Sequence, residues 1–167
     1  MKIVLINGGG GVGKDTFVQI CQRMVGESKI LNISTIDIIK EAAVTLGWDG
    51  NKDERGRKFL SDLKDLATNY SDLSTKYIKE TISKAKNKGA EAIFVHCREP
   101  EELGRLQDIF NATTLLIKNK RVKPIESNHA DRNVENFFYD YTIDNNDGIL
   151  ELTKKAADFL HEVGVLS

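Results

Sequence analysis

The chain has 167 residues and 40% of them are hydrophobic, which is enough for a single domain with one sizeable core. Basic and acidic residues nearly balance, at 24 and 25, so we expect no broad surface for the phosphate backbone of a nucleic acid polymer. No apolar run approaches the roughly 18 residues that a membrane span needs, which predicts a cytoplasmic protein that does not enter a membrane. Cys21 and Cys97 lack the spacing of metal ligands, so we expect both to be buried core thiols.

Short β-branched runs alternate along the chain with longer helical stretches, which predicts an α/β protein with a five-stranded parallel sheet flanked by helices. We expect one domain, 1–167, with a helical region at about 34–88. A long polar loop at about 118–133 has a length that favours a functional role. The strands are predicted at 2–7, 29–33, 91–96, 113–117 and 139–143, and the helices at 14–25, 53–70, 71–87, 99–110 and 149–163. One more helix is predicted with Ser34 or Thr35 as its cap and with its end near Gly47 and Trp48.

Residues 8–16 read Gly-Gly-Gly-Gly-Val-Gly-Lys-Asp-Thr and match G-x-x-x-x-G-K between a predicted strand and a predicted helix. Successive backbone N–H groups of such a loop can point at phosphate oxygens, and the helix N-terminus adds partial positive charge. Lys14 is then expected to bridge the β- and γ-phosphates of a nucleoside triphosphate. The motif predicts a three-layer P-loop NTPase fold. The residues predicted to bind the triphosphate are Gly8, Gly11, Val12, Gly13, Lys14, Asp15 and Thr16.

Asp15 stands where the general motif has a Ser or Thr whose hydroxyl binds Mg²⁺, and Thr16 follows it. The loop is therefore unlike that of a GTPase switch or a motor ATPase. It resembles the nucleoside monophosphate kinase group, and Gly-Lys-Asp-Thr in particular resembles phage-type deoxynucleoside monophosphate kinases and animal-type phosphomevalonate kinases. The resemblance implies that ATP and Mg²⁺ are the cofactors, with Asp15 and Thr16 on the metal side.

Two segments of the predicted helical region resemble the acceptor-side helices of deoxynucleoside monophosphate kinases. They are Asp37-Ile38-Ile39-Lys40-Glu41 and Lys52-Asp53-Glu54, the second followed by Arg57 and Leu60. The resemblance implies that Lys40, Lys52 and Arg57 hold the phosphate of the acceptor. Solvated faces of amphipathic helices explain the same three residues equally well.

Arg98 follows the third predicted strand, at the end of an open α/β sheet where ligands bind. A planar guanidinium suits a phosphate, so Arg98 is predicted to bind the acceptor and to serve in catalysis. His96 stands where the family has an aspartate, and an imidazole cannot replace a carboxylate in supporting Mg²⁺. If His96 is simply a hydrogen-bonded histidine at the strand end, Asp15 is the candidate to carry the negative charge on the metal side.

The C-terminal segments Asn128-His129-Ala130-Asp131 and 139–145 resemble the ending of the same family, which dephospho-coenzyme A kinases share. Asn145 or Asn146 is then a candidate contact to the nucleotide base, although a turn rich in Asn, Asp and Gly needs no ligand to explain it.

The polar loop at about 118–133 stands where the family has its lid. Arg121, His129 and Arg132 are the predicted lid residues, and the two arginines are candidates to close over the transferring phosphoryl group. Ordinary surface charge explains them equally well, because many kinase lids hold more arginines.

The sequence therefore predicts a P-loop small-molecule kinase that moves the γ-phosphoryl of ATP to a small phosphate-bearing acceptor, with a (deoxy)nucleoside monophosphate favoured. One alternative is a non-catalytic or regulatory ATP-binding protein. Another is a kinase with a hydroxyl acceptor such as dephospho-coenzyme A, for which Asp37 is the candidate base. We expect small molecules as partners, and the oligomeric state stays open, a dimer included.

Overall fold

The computed structural model describes residues 1–123 and 133–167, in which we find five strands and six helices. The strands are β1 (Lys2–Asn7), β2 (Ile30–Ser34), β3 (Ala92–His96), β4 (Thr113–Lys118) and β5 (Tyr141–Asp144). The helices are α1 (Lys14–Val25), α2 (Asp37–Thr45), α3 (Glu54–Ser71), α4 (Leu73–Asn87), α5 (Pro100–Phe110) and α6 (Ile149–Glu162). No helix in these two ranges is long and apolar enough to cross a membrane.

The five strands form one parallel sheet, as the sequence predicted. Their order in the sheet, which the sequence did not predict, is β2-β3-β1-β4-β5. The central strand β1 pairs with β3, where Ile6 is opposite His96, and with β4, where Asn7 is opposite Leu116. Val4, Leu5 and Ile6 are fully buried although successive residues of a strand face opposite sides of the sheet, so both faces of β1 are covered, which explains its apolar sequence. Because parallel strands end at the same edge of a sheet, the segments after β1 and β3 emerge side by side.

The chain divides into two compact units, one of residues 1–33 with 85–167 and the other of residues 34–84. In the larger unit, α1 and α6 contribute to one buried core with the sheet. Phe17, Phe94 and Phe159 meet there, with ring centroids 5.8 to 6.3 Å apart. Cys21 and Cys97 are buried as predicted, and burial raises the pKa of Cys21 to about 12. The prediction of one domain stays a prediction.

The smaller unit has its own apolar cluster, in which Ile39, Ala43 and Leu60 are buried. Helix α3 is capped by Asp53, whose carboxylate accepts a hydrogen bond from the backbone N–H of Gly56 at 2.7 Å. The predicted cap of α2 at Ser34 or Thr35 is wrong, because the helix begins at Asp37 and its N-cap residue is Ile36. The carboxylate of Asp37 accepts from the Ser34 N–H at 2.7 Å and holds the preceding residues in a turn.

Candidate phosphate-binding site

The loop between β1 and α1 requires glycine at two of the predicted positions. Gly8 and Gly13 have φ angles of 150° and 102°. A Cβ atom at Gly8 would lie within 3.0 Å of the carbonyl oxygen of Ile117 and of Val12 Cγ2. A Cβ atom at Gly13 would meet the side-chain amide of Asn145 just as closely. The glycines thus let the loop turn tightly against β4 before α1 begins.

Lys14 is a charged residue that is buried, with 9% of its surface exposed. Its Nζ donates hydrogen bonds to the carbonyl oxygens of Gly8, at 2.5 Å, and Gly9, at 2.7 Å. A buried ammonium group is costly unless it is paired, and here carbonyl oxygens of the loop itself hold it. The loop therefore encloses the positive charge of the first residue of α1, at the helix end where backbone N–H groups lack intrahelical acceptors.

Asn7 joins the start of the loop to two other segments, a role that the sequence analysis missed. It is fully buried, and its Oδ1 accepts from the Gly8 N–H at 2.8 Å. Its amide donates to the Arg98 carbonyl oxygen at 3.1 Å and to the Tyr139 hydroxyl at 2.9 Å. That hydroxyl in turn donates to the carbonyl oxygen of Val134 at 2.6 Å. The one available signal was a polar residue at the end of an apolar strand.

Replacing Tyr139 with phenylalanine is expected to lower the free energy of unfolding by about 1–3 kcal/mol, because the Asn7 amide and the Val134 carbonyl lose their partner. Denaturant unfolding measures the loss. Tyr70 is 91% exposed, so Tyr70→Phe is a control that should change little. An equal effect of the two substitutions would contradict the role given to the Tyr139 hydroxyl.

Tyr139→Phe should also change how the free energy of unfolding depends on pH. Burial raises the pKa of Tyr139 from 10.0 to about 12 in the folded protein. The folded-state pKa lies above the unfolded value, so this contribution to stability is complete below pH 10 and is lost as the pH rises through about 12. The difference in unfolding free energy between wild type and Tyr139→Phe should therefore be constant below pH 10 and shrink above it.

The predicted metal-side residues, Asp15 and Thr16, both lie exposed in the first turn of α1. The Asp15 carboxylate lies 3.4 Å from the Asn32 amide and 3.5 Å from His96 Nε2. Carboxylate and hydroxyl oxygens fit Mg²⁺, which usually takes one or two protein ligands and completes its shell with water and phosphate. Within residues 1–123 and 133–167 no cluster of three or more acidic, His or Cys side chains could hold a metal unaided. The two residues therefore fit a metal that arrives with a nucleotide.

Arg98, the predicted acceptor-binding and catalytic residue, and Arg121, a predicted lid residue, lie on the loops that follow β3 and β4. Both are exposed. The backbone of Arg98 is held by Asn7, and that of Arg121 donates to Asn119 Oδ1 at 2.9 Å. The next residue, Val122, packs against the core of the larger unit and lies over Gly11. His129 and Arg132 lie outside the described residues.

The two asparagines of the turn after β5 have structural roles. Asn145 donates from its amide to the carbonyl oxygen of Val12 at 2.9 Å, and from its backbone to that of Lys118 at 2.7 Å. Asn146 accepts from the Lys120 N–H at 2.8 Å. These contacts agree with the alternative that the asparagines serve the turn itself and bind no nucleotide base, because the Asn145 side chain already holds the Val12 carbonyl of the glycine loop.

The predicted acceptor-side cations all lie in the smaller unit. Lys40 Nζ is 3.6 Å from Asp37 Oδ1, and both side chains are about one third exposed. Lys52 and Arg57 are exposed and form no side-chain hydrogen bond or ion pair with the residues that the structure describes. Their role in holding an acceptor phosphate stays a prediction.

Two solved shikimate kinases match the fold of this chain over nearly their whole length. The enzyme of Aquifex aeolicus is 14% identical, with a TM-score of 0.50 over 100% of both chains. That of Bacteroides thetaiotaomicron is 11% identical, with a TM-score of 0.50 over 99% of both chains. The chain has the fold of these P-loop small-molecule kinases. At such identity the likeness concerns the fold and not the reaction.

An APS kinase of Mycobacterium tuberculosis, in complex with AMPPNP and APS, is a more distant match. It is 15% identical, with a TM-score of 0.43 over 96% of this chain and 97% of the other. No protein-family model matches the sequence, and no curated protein matches it.

Proposed function

We propose that this chain is an ATP- and Mg²⁺-dependent phosphotransferase that moves the γ-phosphoryl of ATP to a small phosphate-bearing acceptor, with a nucleoside or deoxynucleoside monophosphate favoured. The observation that carries the proposal is the buried ammonium of Lys14, held by the carbonyl oxygens of Gly8 and Gly9 inside the glycine loop. ATP as the donor, and the monophosphate as the acceptor, rest on the resemblance of the Gly-Lys-Asp-Thr segment.

A triphosphate would improve the electrostatic surroundings of Lys14. Neutral carbonyls are its partners in the loop, and anionic phosphate oxygens form charge-assisted hydrogen bonds that are about twice as strong. The N–H groups at the start of α1 favour the same anion. Phosphoryl transfer depends on such positioned charge more than on covalent chemistry, so these residues supply what the reaction needs.

An acceptor that is itself a phosphate needs no protein base, because the attacking oxygen is already anionic. The surroundings of Asp37, the candidate base for a hydroxyl acceptor, agree with this. Its Oδ2 accepts from the Ser34 N–H and its Oδ1 lies 3.6 Å from Lys40 Nζ, so both oxygens are engaged. Arg98 is an exposed cation at the carboxyl end of β3, which suits a phosphate.

A non-catalytic ATP-binding protein is the second candidate, and one observation favours it. His96 ends β3 where P-loop enzymes use an acidic residue on the metal side. Such a protein would bind the nucleotide with Lys14 but would show no turnover that depends on an acceptor.

The test is an acceptor screen with ATP and Mg²⁺ that follows ADP release across nucleoside and deoxynucleoside monophosphates, phosphomevalonate and dephospho-coenzyme A. We expect release that requires a monophosphate and is absent from Lys14→Ala protein. Turnover with dephospho-coenzyme A alone would assign a hydroxyl acceptor. ATP binding without any turnover would assign the non-catalytic role, and failure to bind Mg²⁺–ATP would refute the proposal.

A further inference from the structure

Three polar side chains from different elements meet beside the first turn of α1, and we call them the Asp15 cluster: Asp15 on α1, Asn32 on β2 and His96 at the end of β3. His96 Nε2 lies 2.8 Å from Asn32 Oδ1 and 3.5 Å from Asp15 Oδ1. The Asn32 amide donates to the same Asp15 oxygen at 3.4 Å. Both contacts of the carboxylate therefore converge on Oδ1.

The arrangement defines the direction of the hydrogen bonds. Asn32 Oδ1 accepts, so in the tautomer with a hydrogen on Nε2 His96 donates to it, and the same nitrogen lies 3.5 Å from Asp15 Oδ1. The imidazole is only 16% exposed and sits where β3 is paired with the central strand, whereas the Asp15 side chain is 75% exposed. A largely buried imidazole thus faces an exposed carboxylate. Asp15 Oδ2 has no hydrogen-bond or ion-pair partner among residues 1–123 and 133–167.

P-loop enzymes generally hold Mg²⁺ with a hydroxyl that follows the loop lysine and a carboxylate from a strand of the sheet. The Asp15 cluster has the opposite distribution. The carboxylate follows Lys14, and the strand end carries a hydrogen-bond donor. Outer residues that orient a metal ligand typically matter almost as much as the ligand, because they fix its rotamer.

We propose that Asp15 is the metal-side carboxylate of this chain, and that His96 and Asn32 are positioning residues that hold its Oδ1 and leave Oδ2 available to the metal of a bound Mg²⁺–nucleotide. The inference rests on the proposed function, since the metal would arrive with the nucleotide. A merely structural contact between His96 and Asp15 makes a different prediction, because its loss would affect stability alone.

The experiment measures the dissociation constant of ATP by calorimetry, once with Mg²⁺ and once with EDTA, for wild type, His96→Leu and His96→Gln. His96→Leu should reduce the gain in affinity that Mg²⁺ provides by about tenfold, at the lower end for residues that orient a metal ligand. Its affinity for metal-free ATP should not change. Glutamine offers an amide donor in place of Nε2 and should restore most of the gain. His161→Leu, an exposed histidine on α6, is the matched control.

Two further measurements show whether His96 acts through Asp15. In an Asp15→Asn protein, His96→Leu should cause no additional loss, because the carboxylate that it positions is already neutral. Electron paramagnetic resonance of Mn²⁺ with a non-hydrolysable ATP analogue should show weaker Mn²⁺ binding in His96→Leu than in wild type. Thermal unfolding of each variant verifies that it is folded.

The outcomes separate the two proposals. Three outcomes would overturn the positioning role and leave the ATP site standing. His96→Leu could weaken ATP binding equally with Mg²⁺ and with EDTA, or His96→Gln could lose as much affinity as His96→Leu. The losses from His96→Leu and Asp15→Asn could also add up in the double variant. Wild-type protein that binds ATP under neither condition would overturn the proposed function, and this inference with it.

Discussion

Replacement of Lys14 by alanine is expected to lower kcat/KM by about a hundredfold to a thousandfold, the range found when one preorganised donor is removed from a site of charge development. The physical reason is the position of the ammonium group. Its Nζ is enclosed by the carbonyl oxygens of Gly8 and Gly9, where the β- and γ-phosphates would replace them as partners. Calorimetric titration with Mg²⁺–ATP measures the loss of nucleotide affinity, and the rate of ADP release measures the loss of turnover.

Lys154→Ala is the matched control for this experiment. Lys154 is 75% exposed, and its ion pair with Glu151 on the same helix adds little to stability. The control should bind ATP like wild type. Lys14→Ala protein that is folded and keeps wild-type affinity would show that the glycine loop does not bind phosphate, and the proposed function would fail.

Replacement of Gly8 by alanine should lower the free energy of unfolding by about 3 kcal/mol, from backbone strain and from overpacking. The added Cβ atom would lie within 3.0 Å of the Ile117 carbonyl oxygen, and this oxygen belongs to β4 and cannot move cheaply. Gly8 also has a φ of 150°, which disfavours any other residue. ATP binding should be lost as well, because the loop must move away from the sheet.

Gly9→Ala is the neighbouring comparison. A Cβ atom there meets only Val12 Cγ1, at an ordinary contact distance of 3.6 Å, so we expect a change in unfolding free energy below about 1 kcal/mol. Urea denaturation of both proteins measures the difference. Similar stabilities for the two variants would mean that the loop is not held against β4 in the way that the contacts of Gly8 indicate.

Local patterns predicted the elements that carry the loop. Strand β1 and helix α1 begin and end where the sequence placed them, because an apolar run, a glycine loop and apolar residues at helical spacing act within a few residues of one another. Strand β5 begins at Tyr141, two residues later than predicted. The Asp140 carboxylate accepts instead from the N–H and the hydroxyl of Thr114, at 2.8 and 2.9 Å, which no local pattern encodes.

The sequence by itself determined the fold class, through the alternation of β-branched runs with helical stretches, and the glycine loop, since its glycines, the helix start and the lysine all lie within residues 8–16. Tertiary structure alone decided what surrounds that loop. Asn7 meets Tyr139 across 132 residues, Asn145 meets Val12 across 133, and His96 meets Asp15. These contacts depend on the order in which the strands pair, and strand order depends on packing of the whole sheet rather than on any one segment.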